Sequence, residues 1–184
     1  MSTVFFTSDT HYSHTGVIQY SNRPFPDVEE MNEAMVRAWN DRVRPGDLVY
    51  HLGDFSFDRD DKRTIQYAKR LMGNKYLVFG NHDKKLRKNQ EFLSQWVWAR
   101  DLEGIKVGDQ RIVLCHYAML TWNQSHRGAW QLHGHSHGSL PVDVRSLRMD
   151  VGVDAVPNYA PISFEEVREV MSRREFVPID HHGE

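Results

Sequence analysis

The chain has 184 residues, 40% hydrophobic and 26% charged, enough for one domain with a real core and cramped for two. A net charge of −2 gives no strong sign of a duplex-DNA surface, and no apolar run approaches the roughly 20 residues of a membrane span. Cys115 is the only cysteine, which excludes an intrachain disulfide, and the start MSTVFFTSDTH is not a secretory leader, so a cytoplasmic protein is expected.

Residues 3–8, TVFFTS, are apolar and β-branched and predict a buried strand ending at Ser8. Asp27 and Glu30 form a capping-box pattern before a helix with Val28, Met31, Met35 and Trp39 on one face. RPGD breaks that helix, and LVYHL predicts a second strand running into Gly53-Asp54. Residues 61–72 read as a helix with Ile65, Ala68, Leu71 and Met72 on one face. Gly73-Asn74 ends it, and KYLVFG is a third strand leading to Asn81. Leu102 to Val107 and Arg111 to Cys115, joined at Gly108-Asp109, suggest a hairpin. A further strand approaches Gly134, and another covers SLRMDVGVD, residues 146–154. Ser163 and Glu166 form a second capping box before a last helix carrying Phe164, Val167 and Val170. The tail, 177–184, is expected to be loose, with His181 and His182 inert. Helices alternate with strands early and strands dominate later, which predicts a mixed α/β domain over 1–184.

Five polar clusters each follow a predicted strand: SDTH (Asp9, His11), LGDF (Asp54), GNHD (Asn81, His82, Asp83), LCHY (His116) and HGHSH (His135, His137). Ligands gather at the carboxyl ends of strands in open α/β sheets. Strand alternation would turn Asp9 and His11 to one point, and likewise His135 and His137. Carboxylates, imidazoles and one amide oxygen make an oxygen/nitrogen donor set that suits Mn²⁺, Fe or Zn²⁺ rather than a thiolate-bound metal. There are enough groups for two ions sharing one carboxylate.

In this order the clusters resemble the calcineurin-like metallophosphoesterases, whose pattern is Asp-x-His, Gly-Asp, Gly-Asn-His-Asp/Glu, a lone His, and Gly-His-x-His. The resemblance spans Asp9 to His137 and is similar to that of small stand-alone bacterial or phage-type members. It implies a four-layer α-β-β-α sandwich of two mixed β-sheets flanked by helices, and a phosphoester hydrolase that uses two divalent ions, with Mn first and Fe, Zn or Ni as alternatives. Carried over by motif, one ion takes Asp9, His11, Asp54 and His137, and the other takes Asp54, Asn81, His116 and His135, with Asp54 as the bridge. Hydroxide held between the cations would attack phosphorus in line with the leaving oxygen. His82 is the candidate general acid, oriented by Asp83.

Other residues are candidates for the substrate. His14 could reach the phosphate, and Arg23 and Arg127 could offset phosphate charge with a guanidinium fork. Trp122 and Trp130 could wall a pocket by stacking. His133 shares the register of its neighbours but is not required by the pattern, and His51 reads as buried structure. HDKKLRKN, residues 82–89, is basic beside the site and could attract an anion. The substrate is expected to be a small phosphoester or nucleotide, as mono- or diester. A nuclease acting on an RNA end, a cyclic-nucleotide phosphodiesterase and a non-catalytic scaffold are the alternatives; a full ligand set argues against the scaffold.

Overall fold

The first strand already carries two cores: Phe5 packs into one apolar cluster and Phe6 into another, as alternation on a pleated strand requires. The computed structural model describes residues 2–179. Its strands in chain order are β1 (Val4–Thr7), β2 (Leu48–His51), β3 (Asn74–Val78), β4 (Ala99–Arg100), β5 (Leu102–Val107), β6 (Gln110–Cys115), β7 (Trp130–His133), β8 (Arg148–Asp150) and β9 (Ile162–Ser163). The helices are α1 (Thr15–Tyr20), α2 (Val28–Arg42), α3 (Asp61–Arg70), α4 (Gln90–Leu93) and α5 (Phe164–Ser172).

One sheet runs β4-β3-β2-β1-β9, parallel except for the antiparallel β9 edge. The other runs β5-β6-β7-β8, antiparallel at β5–β6 and parallel beyond. Val49 and Leu77 join Phe5 on the face covered by Met31, Met35 and Trp39 of α2, Ile65 and Ala68 of α3, and Phe92 of α4. Tyr50 and Val78 join Phe6 on the face toward Ile112, Leu114, Trp130 and Leu132 of the second sheet, with Val167 and Met171 of α5. The register Phe6–Tyr50–Tyr76 stacks three rings across that face, with centroids 5.7 and 4.7 Å apart. This is the expected α/β arrangement of two mixed sheets with helices.

Asp27 caps α2 by accepting the Glu30 amide at 2.8 Å, and at Ser163 and Glu166 the capping box is reciprocal. The helix predicted over 61–72 stops at Arg70, where Leu71 turns extended. The strand predicted over 146–154 shortens to Arg148–Asp150, because the Asp150 carboxylate accepts the Gly152 and Gly138 amides and bends the chain away. Val177, the first residue of the expected tail, is held: Glu175 and Val177 donate to the Val144 and Arg145 carbonyls at 2.9 and 3.0 Å. His181 and His182 lie outside the described residues. Among the described residues no helix is long and apolar enough to cross a membrane.

Candidate metal centre

The carboxyl ends of β1, β2, β3, β6 and β7 converge where the two sheets meet, and each carries one of the polar clusters. Ser8 bridges to Gly152, beyond β8, which joins the sheets there. The clusters do not converge by strand alternation. Asp9, His11, Asp54, His135 and His137 lie past their strands with left-handed backbone, φ 57°, 49°, 54°, 67° and 47°. Each such non-glycine residue costs about 1–3 kcal/mol and persists only where its surroundings fix it. Here Asp9 N donates to Gly53 O (2.9 Å), His11 N to Asp54 O (3.1 Å) and His135 N to Asp9 Oδ2 (2.9 Å). Glycine permits the approach: a Cβ at Gly134 would stand 2.0 Å from Ser8 Oγ, and one at Gly80 would stand 2.1 Å from Asp54 Oδ1.

Two groups of donors result: Asp9, His11 and His137, and Asp54, His116 and His135, with the ligand atoms of each within 4.8 Å of one another. In the first, His11 Nε2 and His137 Nε2 lie 3.9 and 4.0 Å from Asp9 Oδ1. In the second, His116 Nε2 lies 3.5 Å from Asp54 Oδ2 and 3.1 Å from Asn81 Oδ1. Asp54 Oδ2 is also 3.7 Å from His11 Nε2, so it stands between the groups.

The donor chemistry fits cations. Both ring nitrogens of His11 are buried without a hydrogen-bond partner. His116 Nδ1 lies 2.7 Å from the Leu52 carbonyl, which can only accept, so it carries a proton there. In the neutral ring, Nε2 then presents a lone pair beside the oxygens of Asn81 and Asp54, and nothing in that trio donates. His137 Nδ1 donates to Asp154 Oδ2 (2.6 Å), which leaves Nε2 bare toward Asp9. Such outer partners fix tautomer and ring direction in metal sites. Burial pushes the Asp9 carboxyl up to about 7, against the pull of His116 and His137. Burial also pushes Asp54 up, but the His116 imidazole, the His82 amide and His11 outweigh it and hold it at about 2. Burial holds His11 well below the usual histidine range. A deep carboxylate beside bare imidazole nitrogens is an environment that a cation relieves.

A family model described as calcineurin-like phosphoesterase matches residues 2–157. The chain belongs to the calcineurin-like phosphoesterase family. As a member it is a phosphoric ester hydrolase, and the two donor groups are its candidates for holding metal ions. An uncharacterized protein of Methanocaldococcus jannaschii is 28% identical over 183 residues, 96% of each chain. The gene 66 protein of Mycobacterium phage D29 is 28% identical over 203 residues, 94% of this chain and 97% of that one. A protein of unknown function from Aquifex aeolicus shares the fold, with TM-score 0.71 and 24% identity over 92% of this chain and 100% of that one.

An open groove of about 800 Å³ over the phosphoesterase's donor groups is lined by His11, His14, Asp54, His82, His135 and His137, with Tyr20, Ser136 and Leu140 at its walls. His82 is exposed at this mouth, its Nε2 3.9 Å from Asp54 Oδ2. His14 lies with its ring 5.4 Å from His11.

Several expected roles are corrected. Asp83 does not hold the His82 ring: its buried carboxylate accepts the amides of Gly80, Asp54 and Phe55 at 2.8–3.0 Å and fastens the two strand-end loops together. Arg23 cannot meet a phosphate. Its side chain is fully buried, forked onto Asp154 at 2.7 and 2.8 Å, and bonded to the Asp9 and Thr10 carbonyls. Trp122 is core, its indole donating to the Ala129 carbonyl, and Trp130 is buried with it. Arg127 is the exposed last residue of the turn Ser125–Arg127 and does not line the groove. His133 turns back on the Gly134 carbonyl (2.9 Å) and is absent from both donor groups. The residue missed was Asp154, which holds His137. It lies beyond β8, as the other clusters lie beyond their strands, but falls inside the strand expected over 146–154.

Proposed function

We propose that this phosphoesterase works with two divalent cations, one held by Asp9, His11, His137 and Asp54, the other by Asp54, Asn81, His116 and His135. The position of Asp54 Oδ2 between His11 and His116 carries this reading, since it gives both groups one shared oxygen. When bound, such cations lower the pKa of a coordinated water and offset phosphoryl charge. Mn²⁺ is the ion proposed from the family resemblance, and the oxygen/nitrogen donor set also suits Fe, Zn or Ni.

The remaining roles belong to side chains of the chain. His82, at the open mouth, hands a proton to the departing ester oxygen. Asp83 keeps the His82 loop against the Asp54 loop through backbone amides. His14 faces the groove and contacts the substrate's phosphoryl oxygens. Leu52 and Asp154 fix the tautomers of His116 and His137. The substrate is a small phosphoester, as mono- or diester, and Cys115 as a free thiol supports a cytoplasmic setting.

Hydrolysis of bis(p-nitrophenyl) phosphate after chelation, with and without Mn²⁺, tests the reading. Activity is expected only with the metal; full activity in the exhaustively chelated protein contradicts it. His82→Ala should keep bound metal while turnover falls about 10²–10⁴-fold, the usual range for a lost general acid, and most for poor leaving groups. An unchanged rate on alkyl esters removes His82 from that role.

A further inference from the structure

His82 is shared by two hollows. One is the groove over the donor groups; the other is a cavity of about 240 Å³ lined by Phe57, Arg59, Asp58, Asp61, Lys84 and Lys85 among others. The second is smaller than the roughly 300–1,000 Å³ of a whole-ligand pocket, so it suits one portion of a substrate. Resting on the proposed role of His82, we infer that this cavity is a leaving-group subsite that binds a nucleoside carrying a further phosphate.

Three observations support it. Phe57 is 46% exposed, yet its ring is fixed edge-on to His82, centroids 5.0 Å apart, and 4.2 Å from His14. Its backbone is tied down, with its amide on the Tyr12 carbonyl at 2.9 Å. A fixed, exposed ring beside the proton donor is a platform on which a base can stack. Second, Arg59, Lys84 and Lys85 line the cavity without a carboxylate partner among the described residues. Third, the positive groups outnumber the free acids: Asp58 pairs with Arg63 at 3.4 Å, and Asp61, which accepts only from the neutral Asn89 amide at 3.0 Å, is the one carboxylate of the lining left to set against Arg59, Lys84 and Lys85. The cavity therefore offers an aromatic face and unspent positive charge on the side where His82 would deliver its proton. In the reaction, water gives up one proton to solvent as its oxygen bonds to phosphorus, the bond from phosphorus to the nucleoside oxygen breaks, the proton from His82 goes to that oxygen, and His82 takes a proton back from solvent. The departing group is then an alcohol that keeps its own distant phosphate on Lys84 and Lys85.

The test uses the Mn²⁺-loaded protein and three dinucleotides: TpT and its end-phosphorylated forms pTpT and TpTp. Product analysis shows which nucleoside leaves. The form with its extra phosphate on that nucleoside should have kcat/KM about tenfold above TpT through a lower KM, the size of one charge-assisted contact. The gain should shrink in high salt, as exposed charges are screened. In the Lys84→Ala/Lys85→Ala double variant, shown by circular dichroism to be folded, the ratio should fall to about one. Phe57→Ala should lower kcat/KM for all three dinucleotides relative to methyl p-nitrophenyl phosphate. Equal kcat/KM for the three dinucleotides, a preference for the phosphate on the other nucleoside, or a preference that survives the double substitution overturns the subsite. If bis(p-nitrophenyl) phosphate is hydrolysed but the dinucleotides are not, the subsite alone is wrong; if no ester is hydrolysed, the proposed function falls and the subsite with it.

Discussion

Asp154 joins two buried charges to the donor groups. One oxygen accepts from both His137 and Arg23, and the other accepts from Arg23 alone. Asp154→Asn keeps the shape but gives up the charge that orients His137 and balances Arg23. Outer partners of this kind typically contribute 10–100-fold in metal affinity. Calorimetric titration with Mn²⁺ should show that loss in one of two binding events; two unchanged events would contradict the role. His51 makes a separate prediction. Its Nδ1 accepts the Gly53 amide at 3.2 Å, so Nε2 carries the proton and donates to Thr10 at 3.0 Å. Burial, first of all, lowers its pKa to about 3. An unfolded histidine, near 6.5, therefore binds a proton that the folded one refuses between pH 6.5 and 3. Stability is fully present above 6.5 and is lost as pH falls through that window, by about 1.4 kcal/mol per pH unit for one proton. Urea unfolding at several pH values should show this slope, and His51→Gln should flatten it by one proton's worth. An unaltered slope in the variant would contradict the assignment.

Among the elements, the long helices and paired strands were legible because periodicity and caps agree. Val28–Arg42 buries Met31, Met35 and Trp39 as its pattern predicts, and the Ser163–Glu166 box starts α5 as written. Ser163→Ala should cost about 1 kcal/mol, the usual loss for an N-cap, read from the urea midpoint at constant m; no shift would mean that Arg42, also on Glu166, suffices to hold the helix start. The shorter pieces were not legible. α1 has six residues and β4 and β9 two each, too short for a period to show. The left-handed turns at Asp9, His11, His135 and His137 were misread as strand alternation. Asp and His enter that region more often than most residues but too rarely to predict it; it is imposed by hydrogen bonds between segments far apart in the chain, such as His135 N to the Asp9 carboxylate.

At the scale of the molecule, the order of the motifs was readable because each follows a strand, and parallel strands deliver their ends to one side. The chemistry of the donor set was likewise readable from residue type. The roles of Arg23 and Trp122 were not, because burial decides them and a single sequence does not display burial at loops. Arg23 illustrates the limit: a guanidinium near a phosphate site suggests substrate, yet here it is enclosed by Asp154 and two carbonyls. The account rests on the two donor groups acting together across Asp54. Metal content, measured by plasma mass spectrometry after Mn²⁺ loading and dialysis, tests this most directly. The account predicts two ions per chain in the native protein and loss of at least one in Asp54→Ala. Native protein that retains no metal, or an Asp54→Ala variant that still retains two ions, would contradict it.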